Sequence, residues 1–97
     1  MDFMNEMADL IDLIGEGTIE SLQANKNKID EIAIYSRESG IYKHSESKTK
    51  EFTKDMNALD CYRHMIIKVA KAPTQIHAIG ATKMFMPMIS EKLAMEK

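Results

Sequence analysis

Apolar residues recur at helical intervals along most of the chain. In residues 2–14 the apolar side chains that would share one helix face are spaced by four, three and four positions: Phe3, Met7, Leu10 and Ile14. Most of the other face is acidic, and acids early in a helix also suit the positive end of its dipole. The pattern predicts an acidic amphipathic helix over residues 2–14, ended by Gly15-Glu16-Gly17.

A second helical pattern covers residues 18–39. Thr18 is a good residue for the cap that opens a helix, and Glu20 follows in the first turn. Ser39-Gly40-Ile41 has the sequence form of a helix stop, in which a left-handed glycine is followed by an apolar residue. The alternative is a short β-hairpin over residues 32–42, since two β-prone runs flank a turn-like stretch there.

The most polar stretch of the chain follows, at residues 40–48, and it predicts a loop. Ser47 or Thr49 is then expected to open a third helix, over residues 49–72. Pro73 ends that helix, because the residue before a proline avoids helical backbone angles.

Two prolines divide the final part of the chain. Pro73 can serve as the first residue of a fourth helix over residues 73–86. The small residues Ala78, Gly80 and Ala81 would let another helix approach this one closely. At Pro87 the chain is expected either to kink or to begin a last short helix over residues 88–96.

These patterns predict an all-α fold of four to five helices. The architecture is a small helical bundle or an intertwined helical oligomer, formed by a single domain over residues 1–97. The last segment has apolar residues on more than one side, which a small monomer has difficulty burying. We therefore expect self-association.

Composition adds three expectations. The 97 residues are 44% apolar and include nine methionines and no tryptophan, which is typical of an adaptable core. The single cysteine, Cys61, excludes a disulfide framework. No secretory leader or membrane-spanning run is recognisable, so a cytoplasmic protein that does not enter a membrane is expected.

Charge is distributed unevenly along the chain. The formal net charge is −2, yet residues 1–20 contain six acids and no base, and the rest is mildly basic. Such a division suggests charge complementarity within or between subunits. Duplex DNA is not expected as a partner, because DNA-binding proteins present a denser basic face.

No motif assigns a reaction to the chain. Asp60, Cys61 and His64 could share a helix face, which would be part of a metal site or a thiol nucleophile with its base. A buried structural cysteine is the more common situation, and a zinc site would need further ligands. We expect no enzyme activity, no catalytic residue, no metal and no cofactor.

One set of residues could hold an anionic small molecule such as a nucleotide between subunits. Arg63 offers a planar fork for a phosphate or carboxylate, and Tyr62 offers a ring for stacking. Lys68 lies farther along the same predicted helix, and Lys43 and His44 could close over the site from the polar stretch. The competing interpretation is a solvated charged face.

A second set of residues predicts a protein interface: Phe3, Met7, Leu10, Met84, Phe85 and Met88. Methionine-rich apolar surfaces can adapt to varied partners, although the same residues could equally fill a core. The first hypothesis is a small non-enzymatic binding or inhibitory protein that acts through protein–protein interaction as a homo-oligomer. In style, although in no specific motif, the chain resembles small accessory proteins of viruses of microbes. The alternative is sequestration of an anionic small molecule.

Overall fold

A computed structural model of the chain describes residues 17–96, which form five α-helices. They are α1 (Ile19–Ala24), α2 (Lys26–Arg37), α3 (Gly40–Thr53), α4 (Ala58–Lys71) and α5 (Gln75–Met95). No strand occurs in this described part, so the predicted all-α class is confirmed. The helix predicted for residues 2–14 lies outside the described residues. None of the five helices is both long and apolar enough to cross a membrane.

Helix α5 is the centre of the bundle. It packs most extensively against α4 and α2, and also against α3. Its middle segment, residues 85–89, is buried at every position. The core around this segment is formed by Leu22, Ile29, Ile32, Ala58, Cys61, Tyr62, Met65, Phe85, Met86 and Ile89.

Thr18 opens the first helix as the sequence predicts. Its side chain accepts a hydrogen bond from the backbone N–H of Ser21 at 3.1 Å. The helix predicted for residues 18–39 is nevertheless two helices, because the chain leaves helical geometry at Asn25. The Asn25 side chain is buried and donates to the Ser21 carbonyl at 3.0 Å. A polar side chain that competes for backbone partners explains this break.

The predicted stop at Ser39-Gly40-Ile41 is instead a helix start. Helix α2 ends at Arg37, and Ser39 caps α3 by accepting from the Ile41 N–H at 3.2 Å. Gly40 is the first residue of α3 and has no left-handed φ angle; Gly17 is the only such glycine among residues 17–96. The predicted loop over residues 40–48 and the alternative hairpin over residues 32–42 are therefore both wrong.

Helix α3 forms in this polar stretch because a few buried residues on one side are enough to pack it against the rest of the bundle. Tyr42, Thr49 and Thr53 are its buried residues, and the spacing of seven and four positions keeps them on one side. Only one of the three is strongly apolar, so hydrophobic periodicity could not reveal the helix.

The single helix predicted for residues 49–72 is divided by a short connection at residues 54–57. Asn57 starts α4 with a reciprocal capping box, in which its side chain accepts from the Asp60 N–H and the Asp60 carboxylate accepts from the Asn57 N–H. On the other side of the connection, Lys92 Nζ donates to the carbonyls of Thr53 and Met56 at 2.8 and 2.7 Å. Neither Ser47 nor Thr49 opens a helix; both lie inside α3.

The two predicted helices at residues 73–86 and 88–96 are one helix. Pro73 lies before α5, and the cap is Thr74, whose hydroxyl accepts from the His77 N–H at 3.3 Å. The helix continues through Pro87, which is buried. A proline inside a helix lacks one hydrogen-bond donor. Burial of the residues on both sides of Pro87 compensates for this loss.

Candidate functional site

Tyr62 and Arg63, the proposed centre of an anion site, are both engaged with the beginning of the described chain. Tyr62 is fully buried, and its hydroxyl lies 2.9 Å from Ser21 Oγ. Arg63 donates from Nε to the Gly17 carbonyl at 2.8 Å, although much of its side chain is exposed. The Tyr62 ring therefore has no face open for stacking on a ligand.

The remaining residues of the predicted anion site are spread over the surface. Lys43 and His44 are exposed on the first turns of α3, and Lys68 is exposed on α4. Lys68 borders two cavities, but none of the other four predicted ligand residues borders either of them. The structure thus does not bring the five residues together into one pocket.

The predicted interface residues have different surroundings. Phe3, Met7 and Leu10 lie outside the described residues. Phe85 and Met88 are buried, each with 3% exposure, and both contribute to the interior of the bundle. Met84 is half-buried and, together with Phe85, borders an apolar groove.

This groove lies between the end of α4 and the beginning of α5, and we call it the α4–α5 groove. Its volume is about 700 Å³. It is lined by His64, Ile67, Lys68, Lys71, Ala72, Pro73, Ile76, His77, Gly80, Ala81, Met84 and Phe85. The apolar members form most of its wall, and the lysines and histidines stand among them.

Local sequence explains why this groove is open. Pro73 and the Thr74 cap reverse the chain between α4 and α5. The two helices are therefore joined by a short turn at one end of the groove. Ile67 is 51% exposed and Ile76 is 78% exposed, which leaves two large aliphatic side chains in water. A Cβ atom added at Gly80 would meet nothing within 4 Å, so the floor of the groove has free space.

A smaller side pocket of about 250 Å³ continues the groove toward α3. It shares Lys68, Met84 and Phe85 with the groove and adds Lys48, Thr49 and Phe52. The hydroxyl of Thr49 is buried and has no hydrogen-bond partner in the described part of the chain. Phe52 is 53% exposed, so it extends the apolar wall across to α3.

His64 lies where the groove and the side pocket meet. Its ring centroid is 4.8 Å from that of Phe52 and 5.3 Å from that of Phe85. Its Nε2 atom is buried without a hydrogen-bond partner among residues 17–96. Burial, and secondarily the charge of Lys68, lowers the pKa of His64. The neutral imidazole is therefore the form that this aromatic cluster favours.

The charges of the groove have one sign. Lys48, Lys68 and Lys71 line the groove and its side pocket, and no aspartate or glutamate of residues 17–96 does so. A second cavity of about 540 Å³, between the α3–α4 connection and the end of α5, has mixed charges and includes Asp55 and Glu91. Its Lys92 and Glu96 form hydrogen bonds with backbone groups in and next to the α3–α4 connection, at Thr53, Met56 and Ala58. That cavity is thus part of the structural support of the fold.

Cys61 and His64 do not form a nucleophile and base. Cys61 is fully buried in the core, and burial raises the pKa of its thiol, so the protonated thiol is favoured. His64 instead faces the aromatic cluster. Within residues 17–96, no three His, Cys, Asp or Glu side chains are grouped so as to hold a metal ion.

Sequence reasoning identified part of this groove. Lys68 was predicted for the anion site and Met84 and Phe85 for the protein interface, and all three line the groove; a Cβ atom at Gly80 would have open space around it. It missed the exposed aliphatic residues Ile67 and Ile76. The adjacent pair Ile66-Ile67 did not indicate this exposure, because adjacent helix residues can both be buried, as Cys61 and Tyr62 are.

Comparison with known protein families, with curated protein sequences and with solved structures finds no match to this chain.

Proposed function

We propose that this is a non-enzymatic protein that acts through protein–protein interaction, and that its α4–α5 groove binds an acidic amphipathic helix. One observation carries the proposal: a groove of about 700 Å³ has exposed aliphatic walls, several basic side chains and no acidic one. Binding of an amphipathic helix in an apolar groove is a recurring mode of recognition.

The apolar part of the groove supplies the driving force. Ile67 and Ile76 stand on its two sides, and their exposed area would be removed from water by a bound helix. Burial of apolar surface contributes roughly 25 cal/mol per Å². The open space at Gly80 lets the helix backbone come close to α5, which increases the area in contact.

The basic side chains select which helix binds. Lys68 and Lys71 follow Ile67 along α4 and line the groove together with it. A helix with acids beside its apolar stripe meets favourable charges at this rim, whereas a basic helix meets repulsion. Charge at the rim therefore gives specificity, and the aliphatic contacts give most of the affinity.

The proposal can be tested with three synthetic helical peptides that share one apolar face. Their polar faces carry Glu, Gln or Lys, and binding is measured by fluorescence anisotropy at two salt concentrations. The acidic peptide should bind best and weaken with salt, since exposed charges are screened. Ile76→Asp should raise its dissociation constant at least about tenfold, a loss of roughly 1.4 kcal/mol.

The matched control is Ile34→Asp, because Ile34 is also an exposed isoleucine, at 62% exposure, and lies on α2 outside the groove. It should leave binding of the acidic peptide unchanged. Equal binding of all three peptides, or equal losses in both variants, would rule out the proposed groove.

The alternative function is sequestration of an anionic small molecule. One observation favours it, although at the side pocket and not around Tyr62 and Arg63 as the sequence predicts. The side pocket joins Lys48 and Lys68 to aromatic walls and to the unpartnered Thr49 hydroxyl. Its volume of about 250 Å³ suits only a small ligand. A ligand bound there should raise the melting temperature by mass action, and Lys48→Ala should abolish the rise. A panel of nucleotides and aromatic carboxylates that produces no shift removes this candidate.

A further inference from the structure

We propose that the acidic helix bound by the α4–α5 groove is residues 1–16 of a second copy of this chain. The inference rests on the proposed function, because it uses the same groove and names its ligand. It makes the protein self-associating through exchange of these residues between copies.

Charge complementarity is the first argument. Residues 1–16 contain five acids and no base: Asp2, Glu6, Asp9, Asp12 and Glu16. The groove and its side pocket are lined by Lys48, Lys68 and Lys71 and by no acid among residues 17–96. The acidic segment and the basic groove therefore attract each other, whereas pairing of two acidic segments or of two basic grooves is disfavoured.

The spacing of apolar residues is the second argument. Phe3, Met7, Leu10 and Ile14 follow the four–three–four spacing with which a helix presents anchors to a groove. A helix over residues 2–14 would be about 20 Å long. The wall of the groove from Ile76 to Phe85 on α5 extends for about 14 Å, which accommodates two to three turns and three anchors.

The position of Gly17 indicates that a second copy supplies the helix. The Gly17 carbonyl accepts from Arg63, and a Cβ atom at Gly17 would lie 3.4 Å from Ile66 Cδ1, so the chain joins α4 on that flank. Lys68 and Lys71 lie roughly 140–160° around α4 from Ile66, and roughly 140° and 80° from Arg63.

The path around α4 disfavours insertion of residues 2–14 into the groove of the same chain. If the predicted helix ends at Ile14, residues 15–17 span at most about 10 Å. They would have to pass around a helix about 10–12 Å in diameter before residues 2–14 could enter the groove. A groove on a neighbouring copy carries no such restriction.

A charge-swap experiment in the full-length chain tests this inference. One variant reverses the groove charges (Lys68→Glu with Lys71→Glu), and the other reduces the charge of residues 1–16 from about −5 to about −1 (Asp9→Lys with Asp12→Lys). Wild type should form dimers or larger assemblies in analytical ultracentrifugation, and each variant alone should be monomeric. An equimolar mixture should associate again, because the unchanged acidic segment of the groove variant fits the unchanged basic groove of the segment variant.

Native mass spectrometry of the mixture should then detect a complex that contains both variants. Circular dichroism checks that each variant is folded. Lys26→Glu is the control, since Lys26 is an exposed lysine in the first turn of α2 and is far from the groove in sequence and absent from its lining. It should assemble as wild type does.

A monomeric wild type, or a mixture that stays monomeric, overturns the inference. The proposed function fails separately: the Asp9→Lys, Asp12→Lys variant keeps the wild-type groove, so it should bind the synthetic acidic peptide. Peptide binding without self-association leaves the proposed function standing and removes the exchange. Absence of both removes the two proposals together.

Discussion

The two halves of α5 are both apolar but have opposite surroundings. In residues 85–89 every side chain is buried, and α2, α3 and α4 surround the helix. In residues 75–81 the helix borders the open groove, and Ile76 is 78% exposed. The same kind of side chain thus stabilises the fold in one half and is available for binding in the other. Neighbouring helices, more than hydrophobicity, determine which of the two roles a residue has.

The largest expected change in the free energy of unfolding comes from the buried half of α5, residues 85–89. Ile89→Ala removes a fully buried side chain from the core and should destabilise the protein by about 2–5 kcal/mol. The reason is lost burial together with an unfilled cavity. Urea unfolding measures the change. A loss below about 1 kcal/mol would mean that the buried half is not the centre of the core.

The next effect concerns the end of the same helix. Lys92→Met removes both hydrogen bonds from Lys92 Nζ and leaves the carbonyls of Thr53 and Met56 without this donor. We expect a loss of about 1–3 kcal/mol in thermal unfolding. Lys54→Met is the control, because Lys54 makes only an exposed pair with Glu51, and its loss should be within about 0.5 kcal/mol. Similar losses in both variants would contradict this role of Lys92.

A smaller effect is expected at the start of the groove half. Thr74→Ala removes the cap that accepts from the His77 N–H, and should cost about 1 kcal/mol. Amide hydrogen exchange should become faster in residues 75–78 and stay unchanged in residues 85–89, because only the first turn loses its partner. Thr74→Asp retains a capping oxygen and should restore protection. Uniform loss of protection along α5 would show that the two halves do not behave independently.

The smallest effect on stability is a dependence on pH. The pKa of His64 is lowered in the folded protein, chiefly by burial. Its contribution to stability is therefore present above its unfolded-state pKa and decreases as pH falls through that value toward the folded-state pKa. Unfolding midpoints at pH 7.5 and pH 5.5 should differ more in wild type than in His64→Phe. An equal or larger difference in the variant would contradict the neutral imidazole inferred for the aromatic cluster.

The contrast within α5 also marks what could be predicted from the sequence. The all-α class and the Thr18 cap followed from helical spacing and cap chemistry, which act locally. The continuity of α5 through Pro87 did not, since it depends on three other helices that bury this segment. The role of Ser39-Gly40-Ile41 as the start of α3, and not the predicted end of the preceding helix, could not be predicted either. These residues suit both roles, and the choice depends on which face of α3 is buried.

The candidate site was predictable to a similar degree. Lys68, Met84 and Phe85 were predicted and lie at the groove. Tyr62 and Arg63 were predicted as the centre of a site for an anionic small molecule, yet both contact the chain around residues 17–21, more than forty positions away. Contacts between such distant residues are set by packing. Residue type and local spacing could therefore not distinguish an arginine that binds a ligand from one that, like Arg63, donates to a backbone carbonyl at Gly17.

The central claim is that the groove half of α5 binds an acidic helix and the buried half does not. The most direct measurement is an NMR titration of the isotope-labelled Asp9→Lys, Asp12→Lys variant with the synthetic acidic peptide. We predict chemical-shift changes concentrated at the amides of residues 67–71 and 75–81, with little change on α2. No shift changes at saturating peptide, or changes centred on α2 and the α3–α4 connection, would contradict the account.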